Sequence, residues 1–175
     1  MDNFFPSSHP IVAHKLCRLR AADTPPPEFR ALTSELSTLL AYEATAELKT
    51  ADIEVTTPMG AARGATLTVK IALVPVLRAG LGMVTGIHNL MPDATVWHIG
   101  LKRDELTLEP IEYYTNRPTG TSERTCLLLD PMLATGGSAS AACTLIKSWG
   151  AQNLIYVGLI AAPEGVSRLQ HDHPD

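Results

Sequence analysis

The sequence predicts an α/β protein: a central, mainly parallel sheet with helices on both faces and one protruding arm. Three observations carry this expectation. From residue 65 onward, short apolar runs rich in β-branched residues alternate with helical segments, the signature of strands joined by crossover helices. The strand candidates end on glycine-rich or acid-bearing turns rather than on tight hairpin dipeptides. One polar stretch, between Lys102 and Pro118, interrupts the alternation and is too long to be an ordinary connection in a compact domain.

The elements follow in chain order. Ile11 to Arg20 is a short helix candidate whose Lys15, Arg18 and Arg20 read as a solvated face. Pro25-Pro26-Pro27 precedes a stronger pattern, where proline is tolerated in the first turn. There Phe29, Leu32, Leu36, Leu39, Leu40 and Leu48 recur at steps that draw one apolar stripe along a helix. Ile71-Ala72-Leu73-Val74 is a buried strand, followed by the turn Arg78-Ala79-Gly80-Leu81-Gly82 and a helix to about Leu90. Thr95 to Ile99 is the next strand, and the arm of about 102–118 follows as a lid or hairpin. Thr125 to Leu129 is a strand ending at Asp130, and a helix from about Gly137 to Ser148 is stopped by Gly150. Leu154 to Ala161 reads as one last strand, and Pro163-Glu164 opens another helix.

Bulk properties narrow the function. The 175 residues fit one domain, 1–175, and 45% hydrophobic content against 18% charged is enough for a core built on Leu, Val, Ile and Ala. The formal net charge is -4 and no Lys/Arg cluster reads as a nucleic-acid stripe, so no nucleic-acid partner is expected. No apolar run reaches membrane-span length, and the N-terminus lacks a secretory pattern. Cys17, Cys126 and Cys143 have neither metal nor redox spacing, which suits a reducing compartment, the cytoplasm.

Chemistry is sought where strands of a parallel sheet end. After Leu129 come Asp130, Pro131, Met132, Leu133 and Ala134, then Thr135, Gly136, Gly137 and Ser138 at a helix start. A helix N-terminus presents unpaired amides and a positive dipole end, two glycines admit an anion to the main chain, and two hydroxyls add donors. These are the parts of a phosphate cradle, without the lysine of a Walker loop or the glycine spacing of a dinucleotide fingerprint. An ordinary helix cap uses the same residue types. Val74-Pro75-Val76-Leu77-Arg78-Ala79-Gly80-Leu81-Gly82-Met83 can supply a second anion-ready turn, with Arg78 as a charged donor, although a tight strand-to-helix turn with a surface arginine uses the same residues.

Asp-Pro-Met-Leu-Ala-Thr-Gly-Gly-Ser at 130–138 resembles the phosphoribosyl diphosphate loop of uracil phosphoribosyltransferases, members of the type I phosphoribosyltransferases. Val74 to Met83 resembles a second hallmark of that family, and Gly100 to Pro110 is similar to its arm, with Lys102 and Leu106 departing from the usual residues. The resemblance implies a type I phosphoribosyltransferase-like fold and transfer of a phosphoribosyl group to uracil, giving UMP and diphosphate. It implies Thr135–Ser138 on the 5′-phosphate, Asp130 beside the ribose, Arg78 with Ala79 and Gly80 on the diphosphate, and Arg103 reaching the diphosphate from the arm. Asp130 and Arg78 are the expected catalytic groups.

Mg²⁺ is expected as cofactor, carried by the diphosphate rather than by protein ligands. The resemblance implies a homodimer or larger assembly and admits GTP as an activator, neither of which the residues themselves reveal. In the family, a further strand and a segment of the type Tyr-Ile-Val-Pro-Gly-Leu-Gly-Asp-Ala-Gly-Asp follow the point reached at His171-Asp172-His173-Pro174-Asp175, and they bind uracil. The expectation is therefore a chain short of that segment, with no uracil-binding residue assigned. The alternative is a non-catalytic phosphoribosyl diphosphate-binding or regulatory protein.

Overall fold

A computed structural model describes residues 3–103, 110–117 and 125–175. The chain begins with α1 (Pro10–Leu19) and α2 (Pro26–Ala44). The His9 imidazole caps α1 by accepting the Ile11 N–H at 3.1 Å, and Pro10 occupies the first turn. Arg18 bridges from α1 to Glu28 at 2.7 Å and to Asp23 at 3.0 Å, while Lys15 meets Glu35 at 2.6 Å. The basic grouping is thus a solvated face that holds α1 on α2, over a small core of Val12, Leu19, Leu32 and Leu36. Two members of the anticipated stripe fall outside it. Phe29 stays exposed in the first turn, and Leu48 lies beyond the end of α2 at Ala44.

An antiparallel hairpin comes next, β1 (Thr50–Thr57) and β2 (Gly60–Leu67), joined by Pro58-Met59. The sequence pattern does not announce it. The Thr57 hydroxyl donates to the Gly60 carbonyl at 2.7 Å and accepts the Met59 N–H at 3.2 Å, which fixes the turn.

The sheet that positions the site then begins: β3 (Ile71–Leu77), α3 (Leu81–Leu90), β4 (Thr95–Val96), β5 (His98–Arg103) and β6 (Pro110–Asn116). It continues with β7 (Thr125–Leu129), β8 (Met132–Leu133), α4 (Gly137–Ser148), β9 (Asn153–Val157), β10 (Ile160–Ala161) and α5 (Pro163–Asp172). The order across the sheet is β6-β5-β3-β7-β9, with β4 also paired to β3. All pairs are parallel except β5 with β6, which forms the base of the arm. There Trp97 packs edge-on to Trp149 at 6.0 Å between ring centroids, and the Arg117 guanidinium lies 5.6 Å from the Trp97 ring. The expected single strand over Leu154–Ala161 divides in two, because the chain leaves β7 at Val157 and re-pairs as β10 with β8.

Side chains of β3 and β7 alternate between two buried clusters, as successive strand residues must. Ala72, Val74, Cys126 and Leu128 pack against Ala142, Cys143 and Ile146 of α4 on one face. Leu73, Leu127 and Leu129 pack against Ala41, Met83 and Ile87 of α2 and α3 on the other. Helices therefore cover both faces, as the sequence predicts. The Thr38 hydroxyl ties α2 to α3 by donating to the Gly86 carbonyl at 2.8 Å.

Candidate functional site

The connection after β3 takes the chain to β5 on one side, whereas β7 returns to the other side of β3. The order of strands reverses between β3 and β7. Ligands of open α/β sheets bind in the crevice outside the carboxyl ends of the strands at such a point. Both turns singled out in the sequence emerge there. Pro75 stands opposite Leu129 in the ladder and β3 runs on to Leu77, so the Arg78 turn and the Asp130 loop leave adjacent strands at the same end of the sheet.

The first turn packs on the end of the strand that delivers the second. A Cβ on Gly80 would overlap the Leu129 carbonyl oxygen and stand 2.8 Å from the Val76 nitrogen. Only glycine lets the first turn fold this closely against the end of β7. Gly80 supplies space rather than a free donor, because its N–H already donates to the Val76 carbonyl at 2.9 Å. The Leu81 N–H is likewise engaged with the Arg78 carbonyl at 3.2 Å. The anion-ready part of the turn thereby narrows to Arg78 and Ala79, both exposed. The Leu77–Arg78 peptide bond is cis.

Asp130 caps β7. Its N–H donates to the Val157 carbonyl at 3.3 Å, and its own carbonyl accepts the Tyr156 hydroxyl at 3.0 Å. Its half-buried carboxylate has its pKa pushed up from 3.8 to about 6 by loss of water, an effect only partly offset by the Met132 N–H it accepts. The same desolvation raises the Tyr156 hydroxyl, which keeps it a donor.

Beyond Asp130 the loop is stapled from outside. The Pro131 carbonyl accepts the N–H groups of Leu159 and Ile160 at 3.1 and 3.2 Å, and the Leu133 carbonyl accepts the Ala162 N–H at 2.8 Å. This β8–β10 pairing holds the loop before α4 begins. Gly136 then adopts φ +78, a left-handed conformation that side chains disfavour, and its carbonyl accepts the Ser140 N–H at 2.8 Å. That bond leaves the amides of Gly137, Ser138 and Ala139 ahead of the first intrahelical bond, at the positive end of α4. They border a cavity of about 50 Å³ lined by Asp130 and by the segment from Met132 to Ala139.

Of the residues expected at the site, the structure brings together Asp130, the 131–138 loop and the Arg78–Gly80 turn. Arg103 closes β5 at the foot of the arm, and 104–109 lie outside the described residues. Two supports, Tyr156 and the 159–162 segment, carry no functional signal in the sequence. Tyr156 sits in a recognised strand, but nothing in the sequence couples it to Asp130.

Strand order, the crevice at β3/β7 and the loop-to-helix cradle together define the type I phosphoribosyltransferase fold. Helicobacter pylori xanthine-guanine-hypoxanthine phosphoribosyltransferase superimposes with a TM-score of 0.55 over 82% of this chain and 77% of its own, at 16% identity. The AQ2163 protein from Aquifex aeolicus superimposes with a TM-score of 0.90 at 36% identity, over 97% of this chain and 82% of its own.

The chain belongs to the uracil phosphoribosyltransferase family, whose model matches residues 6–175. It is 53% identical over 169 residues to the uracil phosphoribosyltransferase of Roseiflexus sp. strain RS-1, covering 97% of this chain and 81% of that protein. It is 51% identical over 175 residues to that of Roseiflexus castenholzii, covering 100% of this chain and 84% of the relative.

Proposed function

We propose that this protein transfers the 5-phosphoribosyl group of phosphoribosyl diphosphate to uracil, forming UMP and diphosphate, a salvage reaction. The observation that carries this is the packing of Gly80 on Leu129, the residue before Asp130, which starts both anion-ready turns side by side at the strand-order reversal of a chain in this family. In this reading one ligand with an anionic group at each end spans the two turns. In this reading 1–175 is one phosphoribosyltransferase domain.

The barrier lies in breaking the ribose C1–oxygen bond, which leaves positive charge on the sugar. Asp130, fixed by the Tyr156 hydroxyl at its main chain and by the Met132 N–H at its carboxylate, sets a negative charge beside that carbon. The amides of Gly137, Ser138 and Ala139 hold the 5′-phosphate, with Thr135 and Ser138 as hydroxyl partners, so the sugar is anchored at one end. Arg78, with Ala79, takes the diphosphate and stabilises its growing charge as it leaves. Arg103, the last residue of β5, is the further cation that family membership assigns to the diphosphate.

Mg²⁺ fits as a companion of the diphosphate. It prefers phosphate and water oxygens with one or two carboxylates, and Asp130 is the carboxylate at hand. Among the described residues no group of three or more His, Cys, Asp or Glu could form a protein cage. When bound, the ion supplies charge neutralisation on the leaving group. Homo-oligomerisation, activation by GTP and a cytoplasmic location belong to the same proposal and rest on family membership. Chromatography of the products formed from uracil and phosphoribosyl diphosphate tests the function. UMP with stoichiometric diphosphate is expected, and a protein that binds phosphoribosyl diphosphate yet forms neither product would favour the regulatory alternative.

A further inference from the structure

We propose that Arg168, on α5, is an additional 5′-phosphate-binding residue, reaching the cradle from outside the 130–138 loop. The inference rests on the proposed role of that loop. No element of the loop sequence predicts it, since Arg168 lies far downstream on an amphipathic helix.

The geometry runs through the two glycines. A Cβ on Gly136 would stand 2.9 Å from the Gly165 carbonyl oxygen and 3.2 Å from the Arg168 Cβ. A Cβ on Gly137 would stand 3.2 Å from Arg168 Nη1, 3.7 Å from its Cζ and 3.9 Å from its Nη2. The guanidinium therefore lies against Gly137, the first residue of α4, at the edge of the cradle. A methyl group at Gly137 would push against it.

Charge makes this placement informative. The start of α4 is the positive end of a helix dipole, where cations are disfavoured and anions favoured. A guanidinium held there gains most when an anion occupies the same turn, and its planar fork matches a phosphate with two parallel hydrogen bonds. Its carboxylate partner on α5 is a weak competitor. Asp172 lies 3.5 Å from Arg168 Nε, and the same Oδ2 accepts the Ser140 hydroxyl at 2.7 Å. That contact engages the Nε side and leaves the Nη1/Nη2 edge toward Gly137. Asp172, Ser140 and Arg168 thus form a short chain that aims the arginine at the cradle while both charged groups remain partly in water.

The test uses the intact protein and the variants Arg168→Gln and Arg168→Lys. Affinities for ribose 5-phosphate and for inorganic diphosphate are measured by titration calorimetry at low and high salt, with thermal melting as the check on folding. Loss of a charge-assisted bond predicts ribose 5-phosphate binding about tenfold weaker in Arg168→Gln. Diphosphate binding should change less than twofold, Arg168→Lys should recover part of the loss, and the salt dependence should be shallower in Arg168→Gln than in the parent. Unchanged ribose 5-phosphate affinity in a folded Arg168→Gln variant overturns the inference. Equal weakening of both ligands also overturns it, because that would mark a structural role. If the parent protein binds diphosphate but not ribose 5-phosphate, the assignment of the loop itself falls, and this inference with it.

Discussion

Asp130→Asn should stabilise the ligand-free protein while disabling it. The carboxylate has its pKa raised from 3.8 to about 6 by partial burial at the end of β7, so its charged form is disfavoured in the folded state. A group raised in this way contributes most at low pH, and that contribution is lost as pH climbs from the unfolded value toward about 6. Each pKa unit corresponds to about 1.4 kcal/mol, which sets an upper bound near ~3 kcal/mol. Residual water contact at a half-buried group reduces this to about 1–2 kcal/mol. Asparagine keeps the shape and can still accept the Met132 N–H, so it removes the charge without removing the partner. Urea denaturation at pH 8 should show that gain, and a scan should show a Tm higher by roughly 2–8 °C for a chain of this size. The gain should shrink as pH falls below about 6. UMP formation by the variant should drop on the order of a hundredfold or more, since the charge beside the sugar is gone. An Asn variant that is less stable at pH 8, or equally stabilised at pH 5 and pH 8, would refute the desolvation argument.

Other expectations follow from the same site. Arg78→Ala should weaken diphosphate binding about tenfold or more while leaving ribose 5-phosphate nearly unchanged, as competition measurements would show. Gly80→Ala should cost about 1–3 kcal/mol of stability and most of the activity, because its methyl group meets the Leu129 carbonyl and neither backbone can yield; denaturation and UMP assays read both. Tyr156→Phe removes one hydrogen bond to the Asp130 carbonyl, so about 1 kcal/mol of stability should be lost, with a larger fractional effect on kcat than on KM. In the parent protein, kcat/KM for UMP formation should fall as pH drops below about 6, where Asp130 of the ligand-free protein takes up a proton, and a pH–rate profile checks it.

What the sequence discloses depends on how locally each feature is encoded. The phosphate cradle occupies one unbroken segment, Asp130 to Ser138, and its glycines have a backbone reason that shows in their spacing. The sheet strands β3 and β7 are visible because burial on both faces demands unbroken apolar runs. The β1–β2 hairpin escapes because nearly all of Thr50–Leu67 is exposed, and β2 is rich in Ala and Gly, which carry little strand signal. The two-residue strands β8 and β10 exist only through their pairing, so nothing local announces them. Arg168 and Tyr156 reach the site through tertiary packing of α5 and β9, which no local pattern records.

The central claim is that the two turns form one binding site for a single ligand. Backbone amide NMR tests it most directly. Ribose 5-phosphate should shift the resonances of Thr135 to Ala139, diphosphate those of Arg78 and Ala79, and phosphoribosyl diphosphate with Mg²⁺ both sets along one saturation curve with one Kd. Phosphoribosyl diphosphate that perturbs only one turn, or the two turns with different affinities, would contradict the account.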